Sequence, residues 1–376
     1  MTGRPLETRA AVLRGFGTPQ RVETVEVRAP GPGEVRVRVA AAGVCHSDVG
    51  AADGEWDHVL PVVLGHEGSG VVESVGEGVH GLRPGQRVVL NLAPGCGTCP
   101  HCAVGRPILC QASLAAMGEG RLTTGSSPLS LDGEPVAAYS LLACFAEHCV
   151  VAARSAIPLP DGVSARTAAI VGCAVITGLG AAVETLAVPA GSRGAVVGAG
   201  GVGANAIQGA RVRGAAAVVA LDPSAERREW AERLGATASL DPADADVAAR
   251  LRRDAPDAGF DWSIVTVGAP EAIRLGVEIV RPGGTCCVVG LAPQGAPVPV
   301  DMLDLVTYER RIVGSAYGSL TPAVLVPRIL ALHAAGALRL DELVSHAFAL
   351  EEIEDAFALS RSAQGLRSVL EIGPAW

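Results

Sequence analysis

Gly194-Ala195-Val196-Val197-Gly198-Ala199-Gly200-Gly201-Val202-Gly203 is the stretch whose reading decides the fold. Ala195-Val196-Val197 is a short apolar run of strand character, and it leads directly into a G-x-G-x-x-G turn. A helical pattern follows from Val202 to Arg213, then a second apolar run, Ala217 to Leu221, closed by Asp222, 24 positions after Gly198. Glycines between a strand and a helix let the backbone approach a pyrophosphate, and the helix start offers it N–H donors and a positive dipole end. Further strand candidates, Trp262 to Val267 and Thr285 to Val289, alternate with helical segments. Strand alternating with helix predicts a doubly wound parallel sheet, here over residues 175–316. Asp222 is expected to accept hydrogen bonds from adenosine ribose hydroxyls and to repel a 2′-phosphate, which favours NAD(H) over NADP(H). Arg227 and Arg228 work against that preference, because a nearby arginine accommodates phosphate.

Towards the N-terminus the pattern changes. Glu34-Val35-Arg36-Val37-Arg38-Val39 alternates with period two, as a half-buried strand does. Pro30-Gly31-Pro32-Gly33 and Pro84-Gly85 punctuate turns, so Ala10 to Val89 reads as an antiparallel β region. Next come Cys96-Gly97-Thr98-Cys99-Pro100-His101-Cys102 and, after seven intervening residues, Cys110. Thiolates two residues apart can turn back onto one ion, and four of them close a tetrahedral zinc site, so this loop predicts a structural zinc. His101 is surplus to it. Cys45 and His66 each follow a strand-like segment, and Cys173 lies far downstream. A Cys-His-Cys set with a fourth position open is a catalytic zinc pattern, although three ligands from three loops are weak evidence by spacing alone.

The chain has 376 residues, 49% of them hydrophobic, enough for two or three cored domains. A net charge of −9 argues against nucleic-acid or anionic-membrane partners. All 30 basic side chains are arginine, which excludes a Schiff-base lysine. Met1 to Gln20 holds no apolar segment of the secretory kind. Thr167 to Val183 approaches the length of a membrane span, but Gly172, Gly178 and Gly180 interrupt it and a buried helix is expected. With a cytoplasmic setting, the ten cysteines point to metal rather than disulfides. Cys144, Cys149, Cys286 and Cys287, and His58, His80, His148, His333 and His346, carry no motif and read as ordinary structural residues.

Gly43-Val44-Cys45-His46-Ser47-Asp48, Gly65-His66-Glu67-Gly68, Gly172-Cys173 with Thr177-Gly178, and the four-cysteine loop occur in order along essentially the whole chain. In this the chain resembles the zinc-dependent medium-chain alcohol dehydrogenase family. The resemblance implies a GroES-like, β-rich catalytic domain (1–174 and 317–376) and a Rossmann domain (175–316). It implies two zinc ions per chain, the catalytic one on Cys45, His66 and Cys173, the structural one on Cys96, Cys99, Cys102 and Cys110. Asp48 is then the partner that orients His66, Glu67 lies beside the metal, and Ser47 carries the substrate proton. Cofactor contacts are implied for His46, Thr177, Gly198, Gly200, Gly201, Val202, Gly203, Asp222, Arg227, Val267, Gly290 and Arg367. The substrate pocket is implied at Trp56, Leu92, Tyr139 and Leu291. Leu92 stands where ethanol-type relatives have an aromatic residue, so a medium or bulky primary alcohol or aldehyde (allylic, benzylic or terpenoid) is expected, with a homodimer built near Val298 to Leu305.

The chain departs from the family at two places. Gly50 stands where many relatives have a proton-relaying histidine, and a histidine introduced there is expected to alter the pH–rate profile. The arginine that follows the last structural cysteine in glutathione-dependent formaldehyde dehydrogenases is absent from Cys110-Gln111-Ala112-Ser113. Two other readings stay open: a zinc-dependent reductase of activated C=C or C=N bonds, and a non-catalytic NAD-binding protein on an enzyme fold.

Overall fold

The computed structural model describes residues 4–244, 246–254, 258–362 and 364–376, so residues 1–3 of the N-terminal stretch lie outside it. The chain forms two compact units. One comprises the chain up to Cys173 with Thr321–Ala334 and Leu340–Trp376; the other comprises Ala174–Leu320 with Ala335–Arg339.

The first unit is mainly β. Leu6–Leu13, Arg21–Val27, Leu129–Leu131, Glu134–Ala138 and Val62–Val63 close a small barrel. A second sheet runs in the order Ala156–Pro158, Arg87–Leu90, Glu67–Val75, Glu34–Val44, Arg367–Glu371, Val344–Ala349, with His148–Ala152 also paired to Glu34–Val44. The expected antiparallel pairing dominates, but Val62–Val63 runs parallel to Ala137–Ala138, and Val344–Ala349 parallel to Arg367–Glu371. The helix His46–Asp53 also interrupts the region that read as strands alone.

Glu34–Val39 differs from its half-buried reading, because both of its faces are covered. Arg36, only 6% exposed, meets Glu73 at 2.6 Å and donates to the Arg4 carbonyl at 2.6 Å. The alternating charge is therefore a buried, paired cation rather than a solvated face.

The second unit carries a six-stranded sheet in the order Ala238–Leu240, Ala217–Leu221, Arg193–Val197, Phe260–Val265, Val280–Val288, Arg311–Gly314. Every pair is parallel, and in chain order the strands lie 3-2-1-4-5-6, the doubly wound arrangement. Apolar residues cover both faces: Val196, Ala206, Ile207 and Ile264 belong to one buried cluster, Ala195, Val197, Ile273 and Ile279 to another. The strand expected to reach Val267 stops at Val265, and the strand expected from Thr285 begins at Val280.

The apolar stretch read as a buried helix is helical from Ala165 to Thr185, and 83% of its most apolar 18 residues are buried inside the protein. Ser164 caps it, its hydroxyl accepting from the Thr167 N–H at 3.1 Å. It is not uniform: Val171–Val175 and Ala181–Thr185 are π-helical turns. Such turns insert one extra residue into a helix and often mark functional positions. Cys173 lies in the first.

Gly178 sits where this helix meets the helix Gly201–Val212, and a Cβ there would stand 2.0 Å from the Val202 carbonyl oxygen. A backbone atom cannot swing aside as a side chain can, so the helices must part. Gly178→Ala is expected to destabilise the second unit by roughly 1–3 kcal/mol, read as a lowered melting temperature for that unit.

Candidate active site

Cys45 ends the strand Glu34–Val44 and occupies the N-cap of His46–Asp53. Asp48 is the third residue of that helix and is fully buried. Its carboxylate accepts three hydrogen bonds: from the Cys45 N–H at 3.1 Å, from the Gly65 N–H at 3.1 Å, and from His66 Nδ1 at 2.9 Å. Because a carboxylate only accepts here, His66 Nδ1 carries a hydrogen, and Nε2 remains as the ring's ligand atom. Burial alone would lower the pKa of His66, but the Asp48 charge and hydrogen bond raise it well above the usual histidine value.

Ligand atoms of Cys45, His66, Glu67 and Cys173, all buried, lie within 4.8 Å of one another. Two thiolates about 2.3 Å from one tetrahedral ion stand roughly 3.8 Å apart, so this group has the dimensions of a zinc site. Cys45 is held well below the usual thiol range, chiefly by a hydrogen bond from Cys173, and Cys173 is correspondingly pushed well above it.

Glu67 forms an ion pair with Arg367, which is 7% exposed and begins the strand next to Glu34–Val44. Burial pushes the Glu67 carboxyl up to about 7, against the opposing pull of Arg367. Tyr139 packs edge-on to His66, ring centroids 5.9 Å apart, and its hydroxyl donates to the Ser47 carbonyl at 3.3 Å. Ser47 Oγ lies 3.7 Å from Cys45 Sγ.

The sulfurs of Cys96, Cys99, Cys102 and Cys110 also lie within 4.8 Å of one another. Left-handed backbone at Gly95 and Gly97, with φ of +63° and +81°, turns the chain around them. Cys96 Sγ accepts from the Thr98 N–H at 3.4 Å and the Cys99 N–H at 3.3 Å, and Cys110 Sγ accepts from the Cys96 N–H at 3.3 Å. Donors from Thr98 and Cys99 draw the Cys96 thiol down to about 5, while burial pushes Cys102 up to about 11. A Cβ on Gly97 would stand 1.8 Å from the Arg154 guanidinium, so a cation lies directly against this loop. His101 is exposed on it.

In the second unit the glycine loop joins the strand Arg193–Val197 to the helix Gly201–Val212. Gly198 has φ +91°, and a Cβ on Gly203 would stand 1.8 Å from the Gly198 carbonyl oxygen, so the turn admits only glycine at both positions. Asp222, 3% exposed, accepts from the Ala199 N–H at 2.7 Å and from the Ser224 N–H at 2.9 Å, which fixes its carboxylate beside the loop. The Arg227 guanidinium lies close over the loop, 3.5 Å from where a Gly200 Cβ would be. Arg228 instead donates to the carbonyls of Asp222 and Pro223 and meets Asp241 at 3.3 Å.

Two family descriptions match the chain: "Alcohol dehydrogenase GroES-like domain" over residues 31–161 and "Zinc-binding dehydrogenase" over residues 201–331. The geraniol dehydrogenase of Castellaniella defragrans is 37% identical over 368 residues, 97% of this chain and 98% of that protein. The NDMA-dependent alcohol dehydrogenase of Amycolatopsis methanolica is 36% identical over 368 residues, 97% and 99% of the two chains. The crystal structure of benzyl alcohol dehydrogenase from Acinetobacter calcoaceticus matches with a TM-score of 0.93 at 30% identity, covering 98% of this chain and all of that one. This chain belongs to the zinc-dependent medium-chain alcohol dehydrogenase family. Its first unit carries the GroES-like domain and its second the Rossmann domain.

Within this zinc-dependent dehydrogenase the remaining family-implied positions fall as follows. His46 is exposed, its Nδ1 3.2 Å from Ser360 Oγ. Thr177 precedes Gly178 on the helix that abuts Val202. Val267 and Gly290 are in backbone contact, since a Cβ on Gly290 would stand 2.2 Å from the Val267 carbonyl carbon. Leu92 packs against the core of the first unit, whereas Leu291, in the second unit, is 64% exposed. Arg367, expected at the cofactor, has its guanidinium against Glu67 in the buried cluster.

Trp56 fills the space in front of Gly50: a Cβ there would stand 2.5 Å from Trp56 Cζ3 and 2.8 Å from Glu55 Oε2. A histidine at Gly50 would have to displace that ring. The expected effect of such a substitution on the pH–rate profile would therefore report repacking as well as proton transfer, a consequence that sequence could not reveal.

A divalent ion binding to Cys45, His66 and Cys173 competes with protons for the two thiols and the imidazole. Its affinity should therefore rise with pH and fall on acidification, by up to about tenfold per pH unit for each proton released. Titrating the zinc-free protein with Co²⁺ between about pH 6 and about pH 8, and following thiolate-to-cobalt absorbance, measures this; Cys45→Ser subtracts the four-cysteine loop.

Proposed function

We propose that the chain oxidises medium or bulky primary alcohols, allylic or benzylic in kind, and reduces the corresponding aldehydes with NAD(H). The observation that carries this reading is the buried Cys45–His66–Cys173 group, with its imidazole set by Asp48 and its neighbouring Glu67 drawn to Arg367. Three protein donors with a carboxylate held aside are the make-up of a catalytic rather than a structural zinc site. Zinc on those three side chains supplies Lewis acidity towards an alcohol or carbonyl oxygen, and a nicotinamide dinucleotide at residues 198–203 supplies the hydride acceptor or donor.

Ser47 accepts the alcohol proton in this reading and passes its own hydrogen onward. Tyr139, edge-on to His66, and Leu92, on the core of the first unit, form apolar wall. Arg367 and His46 serve the cofactor pyrophosphate, Thr177, Val267 and Gly290 its nicotinamide half, and Arg227 its adenosine half. Asp222 selects the unphosphorylated ribose, and the backbone and Asp241 contacts of Arg228 support the NAD preference by occupying the second nearby arginine. Cys96, Cys99, Cys102 and Cys110 hold the second zinc. Ten free cysteines, six of them in the two ligand groups, suit a cytoplasmic setting.

The relatives named geraniol dehydrogenase and benzyl alcohol dehydrogenase support the substrate class. A panel of geraniol, benzyl alcohol, ethanol and their aldehydes, run with NAD(H) and NADP(H) and followed at the reduced-nicotinamide absorbance, and with NDMA as acceptor followed by loss of the NDMA absorbance, tests the reading. Geraniol and benzyl alcohol should exceed ethanol in kcat/KM by about tenfold or more, in line with the burial of additional apolar carbon, and NAD should exceed NADP. No turnover with any alcohol or aldehyde would sink it.

A homodimer belongs to the same proposal. Among the described residues, Arg311–Gly314 is a terminal strand of its sheet, paired on one side only. Beside it in sequence, Met302, Leu303 and Val306 are 62%, 77% and 70% exposed, and Ile312 on the strand itself is 40% exposed. An open strand edge with neighbouring apolar side chains calls for cover. Leu303→Glu combined with Val306→Arg should convert a dimer into a monomer by analytical ultracentrifugation, with the far-ultraviolet circular dichroism unchanged.

A further inference from the structure

A proton taken up by Ser47 has to reach solvent, and Ser47 is itself half-buried. The helix His46–Asp53 offers it no second proton acceptor on the same face, because the residue one turn on is Gly50. The space in front of Gly50 is filled from beyond the helix end. A Cβ on Gly50 would stand 2.8 Å from Glu55 Oε2 and 2.5 Å from Trp56 Cζ3.

The backbone explains why Glu55 turns back over the helix. Gly54 caps the helix in the left-handed conformation, with φ of +82°. The Gly54 N–H donates to the Ala51 carbonyl at 3.2 Å and the Glu55 N–H to the Gly50 carbonyl at 2.9 Å. This paired closure reverses the chain and fixes the residue after the glycine beside the one that precedes the last turn. Glu55 is exposed, whereas Gly50 beneath its carboxylate is buried. The group therefore joins the covered helix face to solvent.

Cβ positions three residues apart on a helix are about 5–6 Å from each other, so Glu55 Oε2 lies no more than about 9 Å from Ser47 Cβ. One or two waters cover such a span. Titratable neighbours along the turn are otherwise engaged or point elsewhere. Asp53 pairs with Arg361 at 2.6 Å, and Asp57 and His58 follow Trp56, with His58 Nδ1 on the Trp56 carbonyl at 3.1 Å. Among the described residues, the Glu55 carboxylate has no hydrogen bond or ion pair of its own. A carboxylate without a partner keeps its lone pairs free to receive a proton.

We propose that the Glu55 carboxylate is the outer proton acceptor for Ser47, receiving through water the proton that alcohol oxidation releases. This assignment rests on the alcohol dehydrogenase reading above and adds the proton's way out to it. The alcohol O–H bond breaks and its proton joins Ser47 Oγ, while the hydrogen Ser47 carried passes to water. That water gives a proton to Glu55, which returns it to bulk solvent. The two electrons leave the alcohol carbon as hydride, as in that reading, so one proton is released for each alcohol oxidised. In aldehyde reduction the same groups carry a proton inward.

Single-turnover stopped flow with benzyl alcohol and NAD at neutral pH tests the assignment, since a first-order rate constant does not depend on how much of a preparation is active. Glu55→Gln keeps the shape and removes the base. Its rate should fall on the order of tenfold, less than the hundredfold or more that a directly acting general base supplies, with KM little changed. Added imidazole should restore that rate in proportion to its concentration and leave wild type unaffected. Glu55→Asp should retain part of the rate, and Asp57→Asn, a nearby exposed acid, should behave as wild type. Trifluoroethanol, an alcohol that resists oxidation, isolates the proton step: its proton release, read with an indicator dye, should slow in Glu55→Gln by a similar factor. A wild-type rate in Glu55→Gln, or a loss that imidazole does not restore, overturns the assignment. Glu55→Ala decides the same question should Glu55→Gln fail to fold. Benzyl alcohol turnover that ignores Glu55 removes only this role and leaves the dehydrogenase reading standing, whereas no turnover of any alcohol removes both.

Discussion

The carboxylate of Asp48 is the constraint from which the first unit's site is assembled. It is completely buried, and it avoids the penalty of an unpaired internal charge by accepting from two backbone amides and one imidazole. The Cys45 amide secures the start of the helix His46–Asp53, and the Gly65 amide secures the approach to the strand Glu67–Val75. The imidazole of His66 is then held with Nδ1 outward and Nε2 toward the two thiols. One side chain thus joins a helix start, a strand start and a ligand ring. An alteration of Asp48 would disturb the fold and the ligand geometry together.

A second constraint is charge pairing in a buried space. Glu67 and Arg367 bring opposite charges into the same buried cluster as Cys45 and Cys173. A buried pair is stable only when each member keeps the other, and the pull of Arg367 opposes the burial that raises the Glu67 carboxyl. Arg367 enters through the strand Arg367–Glu371, which pairs with Glu34–Val44, so the last part of the chain completes a site begun near residue 45. In the second unit the corresponding constraint is backbone against backbone. Gly178 against Val202, Gly203 against Gly198 and Gly290 against Val267 are approaches that exclude a β-carbon, and they bring strand, turn and helix together around the loop that Asp222 tethers.

Much of this was legible from local pattern. The glycine loop announced its strand and helix because a sharp turn, a close approach and a following acidic residue all lie within 25 consecutive positions. The four-cysteine loop was legible for the same reason, since its four ligands lie within one short segment that must fold on itself. Asp48 and His66 were paired through resemblance to the family, and the distance of 2.9 Å between them agrees. Other features carried no local signal. Alternation at Glu34–Val39 suggested a solvated face, but Arg36 is buried against Glu73 and the Arg4 carbonyl, both distant in sequence. The missing relay histidine was visible as Gly50, whereas the ring of Trp56 filling its place was not. His58 read as an ordinary loop residue, because the carbonyl and the two rings that meet it follow from no spacing in the sequence.

The amino-acid sequence by itself determined the two-domain family, the doubly wound sheet, the four-cysteine loop and the identity of the glycine turn, because each depends on interactions among residues close along the chain or on a pattern spread through it. Only the tertiary structure decided which charges neutralise one another and which ring closes off Gly50. Those outcomes depend on distances between segments far apart in sequence and on the exclusion of water from the space between them, and neither quantity is written in local order.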